Sequence, residues 1–143
     1  MQRVVIDTNV LLSSMFSSKG NPAEIMDLIT NGEVELCYSR EILEEYERKL
    51  AEPKFKFTVD MQKAIINDVI KEIGVLVDDP VPSHVKIRDL DDGVFYDVAK
   101  ENDAILITGD NDLLVLNENF IVKPAEYLKM RKEYFNTSEP LND

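Results

Sequence analysis

The chain has 143 residues, enough for one domain with one core, and its 44% hydrophobic and 31% charged residues are ordinary for a soluble globular protein. With 28 acidic against 16 basic residues the formal charge is -12, which argues against long-range attraction to nucleic acid. It leaves two readings, an acidic surface for a basic partner or carboxylates gathered to hold cations. No run approaches the roughly 18–20 apolar residues of a membrane helix. Nor does an N-terminus that enters a strand at once leave room for a secretory signal. The single cysteine, Cys37, reads as a small buried hydrophobe within a strand, and the expected location is cytoplasmic.

The stretch from Gln2 to Val10 reads as a strand around Val4, Val5 and Ile6, a branched apolar run suited to a strand covered on both faces. Asp7, Thr8 and Asn9 follow directly. Ser13 to Gly20 reads as the end of a turn of helix and a loop. Asn21 as cap, Pro22 at the first position and Glu24 then open a helix that Asn31-Gly32 closes. Val34 to Tyr38 is the second strand, and Ser39 caps a helix to about Ala51 with Ile42, Leu43, Tyr46 and Leu50 inward. Pro53 stops it, and Lys54 to Phe57 is a basic-aromatic link. A helix from about Val59 to Ile73 ends at Gly74, before a third strand over Val75 to Val77.

Asp78 to Asp89 reads as a loop containing His84, followed by a helix from about Asp91 to Asn102. Ala104 to Ile107 is the fourth strand, Leu113 to Leu116 a helical turn, and Phe120 to Val122 the fifth strand. Pro124 opens a small helix through Leu128. Residues 136–143 read as a flexible polar tail after a domain over residues 1–135. Strands alternating with helices imply a three-layer α/β/α sandwich around a mostly parallel, five-stranded sheet.

Parallel strands point their carboxyl ends the same way, where open α/β sheets hold their ligands. Asp7 ends strand one and Asp110 follows strand four, so the two can meet if those strands are neighbours. Glu45 lies between inner-face positions Leu43 and Tyr46. Asp92 sits two turns before Ala99, above the buried stripe, in the cluster Asp89, Asp91, Asp92, of which one serves as the ordinary helix cap. Together Asp7, Glu45, Asp92 and Asp110 would make a four-carboxylate pocket, unfavourable without cations because like charges and desolvation raise each pKa. All-oxygen ligands select Mg²⁺ or Mn²⁺ over Zn²⁺, and such a site suits phosphodiester hydrolysis. The bland alternative is four independent caps and surface charges. Ser39, Cys37 and His84 have no partners for a catalytic triad.

These segments resemble, from Val4 to about Leu128, the PIN domain family, and in particular the subgroup regarded as toxin components of prokaryotic toxin–antitoxin pairs. The matching stretches are Asp7-Thr8-Asn9 after the first strand, Glu45 six residues after Ser39, and Pro53-Lys54-Phe55. Further on come Asp89-Leu90-Asp91-Asp92 through Ala99, Thr108-Gly109-Asp110-Asn111-Asp112-Leu113-Leu114, and Pro124-Ala125-Glu126-Tyr127-Leu128. The resemblance implies a Mg²⁺- or Mn²⁺-dependent ribonuclease with Asp7, Glu45, Asp92 and Asp110 as catalytic metal ligands and Asp112 as an additional ligand. It also implies a cognate antitoxin and a homodimer, for which the helices of residues 40–73 are the expected contact. Thr8, Asn9 and Thr108 are secondary candidates that could orient ligands or a bound water. An RNA substrate would be held locally, with Arg3, Lys19, Arg40, Lys54 and Lys56 as candidates.

Two other enzyme readings fail on specific residues. A haloacid-dehalogenase-like phosphatase needs an acid where Asn9 stands, and a response-regulator receiver needs a lysine after a late strand, which Thr108-Gly109-Asp110 does not supply. A PIN-like binding or regulatory module with an idle metal site is the non-enzymatic alternative, and the charge of -12 favours it.

Overall fold

The computed structural model describes residues 1–83, 87 and 92–138. A five-stranded sheet runs β3-β2-β1-β4-β5, with every neighbouring pair parallel. The strands are β1 (Arg3–Ile6), β2 (Glu35–Tyr38), β3 (Val75–Leu76), β4 (Ile105–Ile107) and β5 (Ile121–Val122). Val4, Val5 and Ile6 are all fully buried. Successive residues of a strand face opposite sides, so β1 is covered on both faces, as its apolar run predicts. The sheet expected from the alternation of elements is therefore present, and it is parallel throughout. Among the described residues no helix is long and apolar enough to cross a membrane.

Helix α1 (Thr8–Phe16) starts immediately after Asp7, so the strand expected as far as Val10 ends at Ile6, while Ser13 to Gly20 divides as expected into the end of a helix, to Phe16, and a loop. The apolar residues Val10, Leu11 and Leu12 are buried within that helix rather than extending the strand. A short apolar run fits either period, and here tertiary packing chooses. In α2 (Asn21–Thr30) Gly20, at φ 111, occupies the cap position expected for Asn21. Helix α3 (Arg40–Leu50) begins as expected, with Ser39 Oγ accepting from the Ile42 amide at 3.3 Å.

Residues 59–73 form one helix, α4, whose middle, Ala64–Ile70, has the wider π winding. Gly74 ends it under a tight constraint. A Cβ there would lie 2.5 Å from the Ile70 carbonyl oxygen and 3.0 Å from the Tyr38 ring. Gly74→Ala is expected to destabilise the protein by about 1–3 kcal/mol through overpacking, read as a lower urea midpoint at unchanged m-value.

The remaining helices are α5 (Gly93–Glu101), α6 (Asn111–Leu114) and α7 (Pro124–Ser138). The last runs ten residues past Leu128, where a small helix was expected to end. Tyr127 is its fully buried anchor, its hydroxyl hydrogen bonded to Gln2 Oε1. The loop expected up to Asp89 falls partly outside the described residues, as do His84, Asp89, Asp91 and residues 139–143 of the expected tail.

Candidate active site

Strand order reverses at β1, which has β2 on one side and β4 on the other. Such a switch point opens a crevice at the carboxyl edge of the sheet. The register Val4↔Ile105, Val5↔Leu106, Ile6↔Ile107 sets the next residues of both strands side by side at that edge. The Asp7 amide continues the ladder to the Ile107 carbonyl at 3.0 Å, and the Thr108 amide continues it to Val122 at 2.9 Å. Thr108 Oγ1 then donates to Asp7 Oδ2 at 2.7 Å, across 101 residues of sequence.

Asp7 is 3% exposed, and its pKa is raised from 3.8 to about 6. Burial is the main cause, with the negative charges of Asp110 and Glu45 adding to it and the Thr108 hydrogen bond opposing it. Although Asp7 occupies the cap position of α1, its carboxylate makes no capping bond. Nor does that of Asp92 at the start of α5. At these two positions the cap reading of the acid therefore fails. Asp110 does cap, since its Oδ1 accepts from the Asp112 amide at 2.9 Å, and its own amide donates to Thr108 Oγ1 at 2.9 Å. Three helix N-termini thus face this edge, and their unpaired N–H groups carry partial positive charge that offsets some of the carboxylate repulsion.

Among the described residues the acids that converge most tightly are Asp92, Asp110 and Asp112, which each offer one oxygen, all within 4.8 Å of one another. Asp112 therefore stands inside the closest triad, while Asp7 and Glu45 flank it. Glu45 is buried and is held from two sides. Thr8 Oγ1 donates to its Oε2, and Arg48 lies 3.7 Å from its Oε1. Tyr46 sits beneath both acids with its hydroxyl donating to the Ile6 carbonyl at 2.6 Å. Burial, and then the charges of Asp7 and Glu45, hold that hydroxyl well above its ordinary pKa. Three oxygen donors at this spacing fit a hard divalent cation.

The secondary candidates separate. Thr8 and Thr108 are buried and bond directly to site carboxylates, whereas Asn9 is exposed. The basic candidates separate too. Arg3 pairs with Glu35 at 2.7 Å at the start of β1, the edge of the sheet opposite the carboxylates. Arg48 was not among them, although its spacing three residues after Glu45 on a helix is the signal that could have found it. Beside Glu45 runs an open groove of about 490 Å³, bounded by Glu41, Glu44, Ser83, Val94 and Asp97, with Arg48 the one cation among its described lining residues. Asp97 accepts there from the Ser83 amide at 3.3 Å.

The model of a family described as PIN domain matches residues 3–112. The uncharacterized protein MJ1680 of Methanocaldococcus jannaschii is 32% identical over 140 residues, which cover 96% of this chain and 86% of that protein. Among solved structures, PAE2754 from Pyrobaculum aerophilum superposes with a TM-score of 0.60 at 16% identity, covering 91% of this chain and 88% of that one. FitAcB from Neisseria gonorrhoeae gives 0.56 at 17% identity, covering 85% and 98%. At these identities the two structures are similar in fold.

Proposed function

The chain belongs to the PIN domain family, and from that premise we propose that it is a Mg²⁺- or Mn²⁺-dependent endoribonuclease hydrolysing phosphodiester bonds of single-stranded RNA. Members of the family are generally nucleases. The observation that carries the reading is the meeting of Asp92, Asp110 and Asp112 oxygens within 4.8 Å, beside an Asp7 buried on the same sheet edge. Asp92, Asp110 and Asp112 would hold the cation, with Asp7 and Glu45 completing its surroundings. When bound there, such a cation would supply Lewis-acid activation of water and charge neutralisation at the phosphate.

The protein's own groups orient. Thr108 holds one Asp7 oxygen, Thr8 and Arg48 hold the two Glu45 oxygens, and the Asp112 amide fixes Asp110. These three carboxylates are therefore aimed before substrate arrives, and loss of such an aiming partner typically costs 10–100-fold. Arg48, at the rim of the groove, is placed to meet a phosphate. Neither Cys37, buried in β2, nor Ser39, whose hydroxyl is engaged in capping, is available as a nucleophile.

By the resemblance on the same segments, we further propose that the enzyme is the toxin of a toxin–antitoxin pair. The proposed homodimer would form through the helices of residues 40–73, α3 and α4, where Val59 and Met61 are exposed, and not through the link at 53–57 between them. A small basic or DNA-binding reading frame immediately upstream would support the pairing. The charge of -12 favours a second reading, a binding or regulatory module with an idle metal site, and one assay decides between them. Purified chain is expected to cleave labelled single-stranded RNA with Mg²⁺ or Mn²⁺ and not with EDTA. Cleavage that persists in EDTA, or its absence with both metals, would overturn the ribonuclease reading.

A further inference from the structure

The basic-aromatic link has no part in the chemistry above, yet it is built into a definite cluster. Phe16, the last residue of α1, meets Phe57 with ring centroids 5.1 Å apart and planes at 25°. Phe55 completes the group, 5.7 Å from Phe16 and 6.1 Å from Phe57. Lys56, between the two link rings, has φ 59, a left-handed turn that a lysine rarely adopts. That left-handed residue closes the 3-10 turn Pro53–Phe55, its amide donating to the Pro53 carbonyl, and Phe57 follows it with its ring beside Phe16. Lys54 Nζ stands 5.1 Å over the Phe55 ring while also pairing with Glu52 at 3.5 Å.

Two features separate this cluster from ordinary core. Phe16 is 57% exposed, so a large part of an aromatic face meets solvent. The segment that carries the two link rings is also opposite in sequence charge to the chain as a whole, even with Arg48 paired to Glu45 and Lys49 and Lys54 to Glu52. Residues 48–57 contain Arg48, Lys49, Lys54 and Lys56 against Glu52, a local +3 in a chain of -12, and Lys19 follows Phe16 by three residues. A polyanion repelled by most of the surface meets cations here.

Position links the cluster to the carboxylates. Helix α1 begins at Thr8 and ends at Phe16, which at 1.5 Å per residue places the ring about 12 Å along the helix from the site. Helix α3 carries Glu45 and leads into the same link. We propose that Phe16, Phe55 and Phe57, with Lys54 and Lys56, form a stacking platform for bases of single-stranded RNA, anchoring the strand beside the carboxylate edge. This rests on the ribonuclease reading for its place in function. Stacking on ring faces tolerates any base, while the lysines follow the phosphates.

The test measures binding by the full chain in EDTA, without turnover, to a fluorescent single-stranded RNA carrying 2-aminopurine. Wild type is expected to bind saturably and to quench the 2-aminopurine. Phe16→Ala and Phe16→Leu should each bind roughly ten-fold more weakly and lose the quench, and Phe16→Trp should restore both. Lys54→Gln, at an exposed side chain, should weaken binding and reduce the salt slope by about 0.7. The platform is overturned by wild-type affinity and quench in both Phe16→Leu and Lys54→Gln, or by no saturable binding of wild type. It is equally overturned if the variants change the sedimentation mass instead, which would make the face a contact between copies. Quenching without metal-dependent cleavage would leave the platform standing and remove the ribonuclease reading. Cleavage with an unchanged KM in Phe16→Ala would do the reverse.

Discussion

Asp7→Asn is expected to lower RNA cleavage by roughly a thousand-fold or more and, in the same protein, to make the metal-free chain more stable at neutral pH. The first effect follows if the carboxylate helps hold the cation, because such an ion is worth several kcal/mol to the transition state at about 1.4 kcal/mol per factor of ten. The second follows from burial. An acid whose pKa rises on folding, from 3.8 to about 6, binds its proton more tightly in the native state. Native stability from this group is then fully present below about pH 4, declines as pH rises between about 4 and 6, and stays low above. A rise of that size corresponds to about 3 kcal/mol at most at pH 7.

Asn has the same shape and carries no charge, and its carbonyl oxygen can still accept from Thr108. Urea unfolding in EDTA should therefore show Asp7→Asn more stable than wild type at pH 7 and equal to it at pH 4. A variant that is less stable at pH 7, or that still cleaves, would contradict the role assigned to this carboxylate.

Divalent cations should reverse that deficit. At about 100-fold over its dissociation constant a ligand bound to the native state alone contributes about 2.7 kcal/mol. For a domain of this size that is a rise in Tm of about 5–10 °C. Wild type with Mn²⁺ at pH 7 is expected to show it, and EDTA to abolish it. Asp92→Asn and Asp110→Asn should both lose the response. The Asp110 variant is informative because Asn keeps an oxygen for the Asp112 amide, so the helix cap survives while the charge goes. Equal melting temperatures with and without Mn²⁺, or an undiminished rise in both variants, would mean that the triad holds no cation.

Much of this site is legible in the linear chain. Val4-Val5-Ile6 followed by an acid announces a buried strand that delivers a carboxylate, and Ser39, Pro53 and Gly74 mark helix boundaries that the fold retains. Local chemistry suffices in these cases, because caps, breakers and periodicity act over a few residues. It does not suffice for α1, where Val10, Leu11 and Leu12 fit strand or helix equally and only packing decides. Nor does it find the end of α7 at Ser138, a helix that packs against α2 and whose length no punctuation predicts.

The residue types of the acidic site are local information, and so is their placement just beyond strands or at helix starts. Which acids actually converge is not. The pairing of β1 with β4 brings Thr108 to Asp7 across 101 residues, and a shift of one position would turn those side chains to the other face of the sheet. The same pairing buries Asp7 and raises its pKa, while the geometry of the sheet edge draws Asp92, rather than Asp7 or Glu45, into the closest triad with Asp110 and Asp112. Desolvation and mutual repulsion depend on distance and surroundings, and those quantities exist only once strands far apart in the chain lie side by side.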